Sequence, residues 1–223
     1  MNIRSIPTTT HGRYLVEAGE HSRATLVGFH GYQENAAITM EVLRQVAAGP
    51  STSLRASRRI GIVSIQGLHR FYSRAHDAVV ASWMTREDRE LAIADNIAYV
   101  GGVLAAVAEE FDMPRPLIYA GFSQGAAMAY RAAAFVQRPS DGIIALAGDV
   151  PPDVAALAST LPPILLARGA QDHLYTAAHL AKDLKTLAAG NARVTEHVFE
   201  GGHEWTADVI SRAGAFLDEL LSS

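Results

Sequence analysis

The 223-residue chain has no cysteine. That absence excludes disulfides, thiolate catalysis and cysteine-ligated metal centres. A surplus of positive charge is also missing. Nineteen Lys and Arg stand against 23 Asp and Glu, a formal net charge of −4, so no basic face invites nucleic acid. No uninterrupted apolar run approaches the roughly 20 residues that span a bilayer, and stable membrane insertion is not expected. Met1 to His11 is polar, without the apolar core of a secretory signal, so a cytoplasmic location is the simplest expectation. Low-complexity tracts and internal repeats are absent as well.

What is present reads as one folded domain. Hydrophobic residues make up 49% and charged residues 19% of the chain, enough for one sizeable core. Short apolar runs recur at Arg13–Ala18, Ala24–Phe29, Ile60–Ile65, Val79–Ser82, Leu117–Ala120, Gly142–Ala147, Pro163–Ala167 and Arg193–Phe199. Most are continuous, as in strands buried on both faces of a parallel sheet. The first carries Arg13 and Glu17 and reads as an edge. Between them lie helical patterns near Ala36–Ala47, Asp88–Glu110, Gln124–Val136, Ala177–Leu187 and Trp205–Leu221, with a further short one at Pro151–Leu157. Strands alternating with helices predict an α/β fold, a mostly parallel sheet flanked by helices, over 1–223 with its core at about 10–222. Gln66–Val79 is the one long connection; it carries Phe71, Tyr72, His69 and His76.

Chemistry concentrates at Gly121-Phe122-Ser123-Gln124-Gly125, between a strand and an Ala-rich helix. A serine on a sharp strand-to-helix turn needs glycine two positions to either side. The turn lifts its hydroxyl clear and aims free helix N–H groups at developing negative charge. The plainer alternative is a βα turn whose serine caps the helix. A nucleophilic serine needs a base, and the base an orienting acid, in the chain order Ser, acid, His. Asp172 follows the strand Pro163–Ala167, and His203 follows Thr195–Phe199 on a glycine-rich loop. Asp149, after Gly142–Ala147, is the rival acid. His197 and His179 lie inside a strand and a helix and read as structural, while His173 could line the mouth of a site. His69 and His76 precede the nucleophile, which is the wrong order. His203-Glu204 starts like a zinc-helix motif, but Ala207 stands where the second histidine is required. Upstream, Phe29-His30-Gly31-Tyr32 follows a strand in the position of an oxyanion loop. The backbone N–H groups of Tyr32 and Gln124 are the expected donors, with His30 a buried organiser of the loop. Gln33, Phe71, Tyr72, Trp83, Phe122, Val150 and Trp205 are candidate pocket residues, each with core packing as the plainer alternative.

These segments together resemble the phospholipase/carboxylesterase family, which includes acyl-protein thioesterases. The Phe29-His30-Gly31 loop, the Gly121–Gly125 elbow, Arg168-Gly-Ala-Gln-Asp172 and Gly202-His203 come in that family's order over about residues 10 to 222. The resemblance implies a cofactor-free α/β-hydrolase without a large lid, acting through an acyl-enzyme on small-molecule carboxylic esters or thioesters. It allows a homodimer. Peptidase or acyltransferase chemistry, or a binding protein without turnover, are the alternatives on the same fold. Tyr32-Gln33-Glu34 replaces the Leu-Gly-Asp of many members, and Ser82–Arg89 matches the family's tryptophan-containing segment only loosely. Substrate identity therefore does not carry over.

Overall fold

A computed structural model describes residues 2–18, 21–49, 59–73 and 78–222. Its central sheet has seven strands in the order β1-β3-β2-β6-β7-β8-β9. They are β1 (Arg13–Glu17), β2 (Ala24–Phe29), β3 (Ile60–Gln66), β6 (Leu117–Phe122), β7 (Gly142–Leu146), β8 (Ile164–Gly169) and β9 (Val194–Phe199). All pair in parallel except β1, which runs antiparallel along β3 and closes that edge. The helices are α1 (Ala36–Ala48), α2 (Arg89–Glu110), α3 (Gln124–Phe135), α4 (Pro152–Ala155), α5 (Ala177–Ala189) and α6 (Ala207–Leu221).

The continuous apolar runs are explained by two cores, one on each face. Successive side chains of a strand point to opposite faces. Tyr119, Ile143, Ala145, Ile164 and Leu166 thus pack with α2, α3 and α5 through Val100, Leu104, Met128 and Leu180. Ile118, Ala120, Ile144 and Leu165 pack with α1 and α6 through Met40, Leu43, Phe216 and Leu217 on the other side. β2 connects through α1 to β3 on one side, whereas β6 connects through α3 to β7 on the other. Winding reverses between β2 and β6, and their C-terminal ends therefore open a crevice side by side.

One expectation needs correction. Val79–Ser82 is not a strand of the main sheet. It belongs to β5 (Ala78–Ser82), which pairs antiparallel with β4 (His69–Ser73) in a separate two-stranded ribbon. Both edges of β3 are taken, by β1 and β2, so the sheet has no place for it there. The supposed long loop Gln66–Val79 thus contains a strand, hidden because His69-Arg70-Phe71-Tyr72-Ser73 lacks an apolar run; His76 lies outside the described residues. The charge-interrupted helix α2 is long and apolar enough, by length and composition, to cross a membrane. Here it lays Val100, Val103, Leu104 and Val107 against the sheet. Its buried Asn96 donates through Nδ2 to the Trp83 and Ala92 carbonyls at 2.6 Å each.

Candidate active site

Ser123 sits where β6 turns into α3, with φ 53° and ψ −118°, a region costly for a residue with a side chain. The flanking glycines are required by contact. A Cβ on Gly121 would lie 2.1 Å from the Gly125 carbonyl oxygen, and one on Gly125 would lie 2.1 Å from that of Phe29. The elbow is thus pressed against the end of β2. Gln124 is the first residue of α3, where the helix provides no internal acceptor for its N–H.

Asp172 lies in the turn after β8, its side chain enclosed. Its Oδ1 accepts the N–H groups of Leu174 at 2.8 Å and Tyr175 at 2.9 Å. Oδ2 accepts His203 Nδ1–H at 2.8 Å, and the Ser123 hydroxyl donates to His203 Nε2 at 2.8 Å. Asp149, the rival acid, is exposed and belongs to the adjacent cleft instead. The other members of the Arg168–Asp172 motif hold these loops. Arg168, buried, donates to the Tyr175 and Ala170 carbonyls. Gln171 bridges to the histidine loop, accepting from Gly201 N–H and donating to Glu200, both at 2.7 Å. Phe122 packs on the imidazole, with ring centroids 4.9 Å apart.

The loop after β2 is organised by His30, which is fully buried. Its Nε2 accepts Gly67 N–H at 2.9 Å, which leaves Nδ1–H to donate to the Gly31 carbonyl at 2.6 Å. Burial holds this imidazole down to about 4. Gln33 takes the left-handed conformation, φ 63°, and Tyr32 beside it is exposed. Sequence reasoning noted Glu34 without giving it a role; it accepts Gly31 N–H through Oε2 at 2.7 Å. Its backbone bridges Ala81 and so docks the β4–β5 ribbon on this loop. Burial raises the Glu34 carboxyl, against the lowering effects of that hydrogen bond and of nearby His203.

The expected pocket residues divide. Val150 lines the cleft beside Ser123 and His203. Trp83 does not: it is 0% exposed, donates through Nε1 to the His30 carbonyl at 2.9 Å and stacks on the His30 ring. It is a buttress of the loop rather than a wall of the site. The Gln124 side chain joins this buttress, accepting from Trp83 N–H at 2.8 Å and donating to the Met84 carbonyl at 3.0 Å. Tyr72 is 81% exposed on the ribbon, Phe71 packs on Tyr32, and Trp205 packs on Phe122 and the cores. None of these three lines the cleft.

That cleft has a volume of about 500 Å³ and is walled by Met84, Arg89, Asp149, Val150, Tyr175, His179 and Lys182 as well as the serine and imidazole. His179, expected to be purely structural, caps α5 through Thr176 and also faces this space. His173 does not line it, and His197 pairs with Asp208 on the surface. A larger hollow, about 690 Å³ between α1 and α6, is lined by none of these residues. Among the described residues no three His, Asp or Glu side chains gather as a metal would require.

The fold recurs in solved structures. Esterase PE8 is 24% identical, with a TM-score of 0.67 over 94% of this chain and 98% of its own. The Zea mays acyl-protein thioesterase 2 is 20% identical, with a TM-score of 0.71 over 95% and 100%. A Bacillus cereus carboxylesterase is 19% identical, with a TM-score of 0.69 over 94% of each chain. No functionally curated protein matches the sequence. The phospholipase/carboxylesterase family model matches residues 11–221, nearly the whole chain, and the chain belongs to that family of hydrolases.

Proposed function

We propose that the protein hydrolyses small-molecule carboxylic esters or thioesters through an acyl-enzyme on Ser123. The observation that carries this reading is the continuous hydrogen-bonded chain from Ser123 Oγ through His203 to the enclosed carboxylate of Asp172, at 2.8 Å per link. Ser123 Oγ attacks the acyl carbonyl carbon as His203 Nε2 takes its proton. Asp172, held by two backbone N–H groups, fixes the imidazole's tautomer and balances the positive charge it acquires. The oxyanion is received by the N–H groups of Tyr32 and Gln124, each worth about 3 kcal/mol of transition-state stabilisation. Collapse breaks the bond to the alcohol or thiol, which leaves with the proton from His203. Water then attacks the acyl-enzyme with the same imidazole as base, releasing the acid and restoring Ser123. The reaction as written needs no cofactor and no partner beyond its substrate, and it suits a cytoplasmic enzyme.

Replacing Ser123 by Ala is expected to abolish turnover of p-nitrophenyl butyrate and labelling by a fluorophosphonate, with an unchanged circular-dichroism spectrum. A fully active variant overturns the assignment. Asp172→Asn is expected to lower kcat about 10⁴-fold, far more than Asp149→Asn; the reverse order would make Asp149 the acid.

A further inference from the structure

The cleft beside Ser123 carries charge that the proton relay does not use. The chain as a whole is acidic, at −4. Yet two cationic side chains border this space from different elements: Arg89 at the head of α2 and Lys182 in the middle of α5. Neither side chain makes a hydrogen bond or close ion pair among the described residues. Their acidic neighbours are engaged elsewhere. Asp153, which feels Arg89, is gripped by Arg131 through two bonds of 2.8 Å. Asp183, which feels Lys182, is buried and accepts from Val150 N–H at 3.0 Å and the Tyr175 hydroxyl at 2.9 Å. Asp149 is the exposed carboxylate left in the cleft, so the lining carries two cations against one anion. His179, on the same wall, has Nδ1 occupied by Thr176.

The same lining includes the apolar side chains of Met84, Ala127, Val150 and Pro151. Such a space suits a short apolar chain that ends in an anion. A concave site also focuses the field of its fixed charges on whatever enters, and a guanidinium can grip a carboxylate through two parallel bonds.

Resting on the hydrolase reading of Ser123, we propose that the substrate is an ester or thioester bearing a carboxylate, seated against Arg89 and Lys182. Both cations are exposed, so the effect is selectivity and capture rate rather than an absolute requirement. Asp149 opposes the anion and trims the preference.

The test compares isosteric pairs. Mono-p-nitrophenyl adipate against its methyl ester places the charge on the acyl side. 4-Carboxyphenyl butyrate against 4-carbamoylphenyl butyrate places it on the leaving group. In one of the pairs kcat/KM is expected to favour the anion by about tenfold at low salt, and the preference should shrink as ionic strength rises. Arg89→Gln and Lys182→Gln should each cut the anion-to-neutral ratio by about fivefold, and Asp149→Asn should raise it. Because the ratio is read, a general loss of activity or folding cancels. The proposal is overturned if neither pair shows a preference, if the ratio ignores both cation variants, or if a choline ester is the better substrate. Neutral esters hydrolysed without preference would sink this inference alone. Failure of Ser123 to label with fluorophosphonate would remove both readings together.

Discussion

Glu34 Oε2 accepts the backbone N–H of Gly31 at 2.7 Å and closes the turn that follows β2, while its own backbone is bridged to Ala81 of the ribbon. This acceptor holds the amide next to Tyr32 in a set orientation. Glu34→Ala is expected to lower kcat/KM for p-nitrophenyl butyrate about tenfold. Glu34→Gln keeps an oxygen acceptor and should cost only about threefold. Steady-state kinetics of the two variants check this; equal losses would mean that the hydrogen bond is not what matters.

The strain at Ser123 predicts a conflict between stability and activity. At φ 53° and ψ −118° a side chain is unwelcome and glycine is not. Ser123→Gly should therefore raise the unfolding free energy by about 1 kcal/mol, after allowing for the added freedom of the unfolded chain, and should destroy activity. Ser123→Ala should show no such gain. Urea denaturation of both variants beside the parent measures it.

His30 should make stability depend on pH. Its imidazole is held at about 4 by burial, below the ordinary value of about 6.5. Protonation would also turn Nε2 from the acceptor of Gly67 N–H into a donor facing a donor. Since the unfolded chain takes up this proton first, the histidine's contribution is complete above about pH 6.5 and is lost as pH falls toward 4. Over that window the unfolding free energy should fall by about 1 kcal/mol per pH unit from this group. The slope should flatten in a His30→Gln variant, as followed by urea titrations across the range.

Arg131 tests the cost of a stranded buried charge. Its side chain is fully enclosed and is neutralised by Asp153 through two bonds of 2.8 Å. Asp153→Ala should destabilise the protein by about 3 kcal/mol, and the Arg131→Met, Asp153→Ala double variant should recover most of that loss. A double variant no more stable than the single one would show that the pair contributes more than charge cancellation.

Some of this protein could be read directly from residue order. The apolar runs that became β2, β6, β7 and β8 are continuous because each is covered on both faces, and such burial leaves its mark in composition alone. Gly121, Ser123 and Gly125 are equally legible, since backbone geometry at the elbow depends on near neighbours and only glycine avoids the contacts found there. Chain order also pointed to Asp172 and His203 as candidates, because strand-end loops are where a sheet of this winding faces its ligands.

Tertiary structure decided what depends on distant segments meeting. β4 and β5 pair with each other because β3 has no free edge, a fact that no local pattern encodes. Trp83 resembled a pocket aromatic in sequence, yet its indole N–H finds the His30 carbonyl more than fifty positions away and fixes the ring inside the core. Arg89 and Lys182 are unremarkable charged residues along the chain; only the packing of α2 and α5 around the end of β7 makes them, with Asp149, walls of one cleft. The sequence by itself pointed to the candidate nucleophile, base and acid, since each stands on a short-range backbone pattern. What those atoms meet is set by side chains from separate elements, and their meeting is a property of the folded sheet.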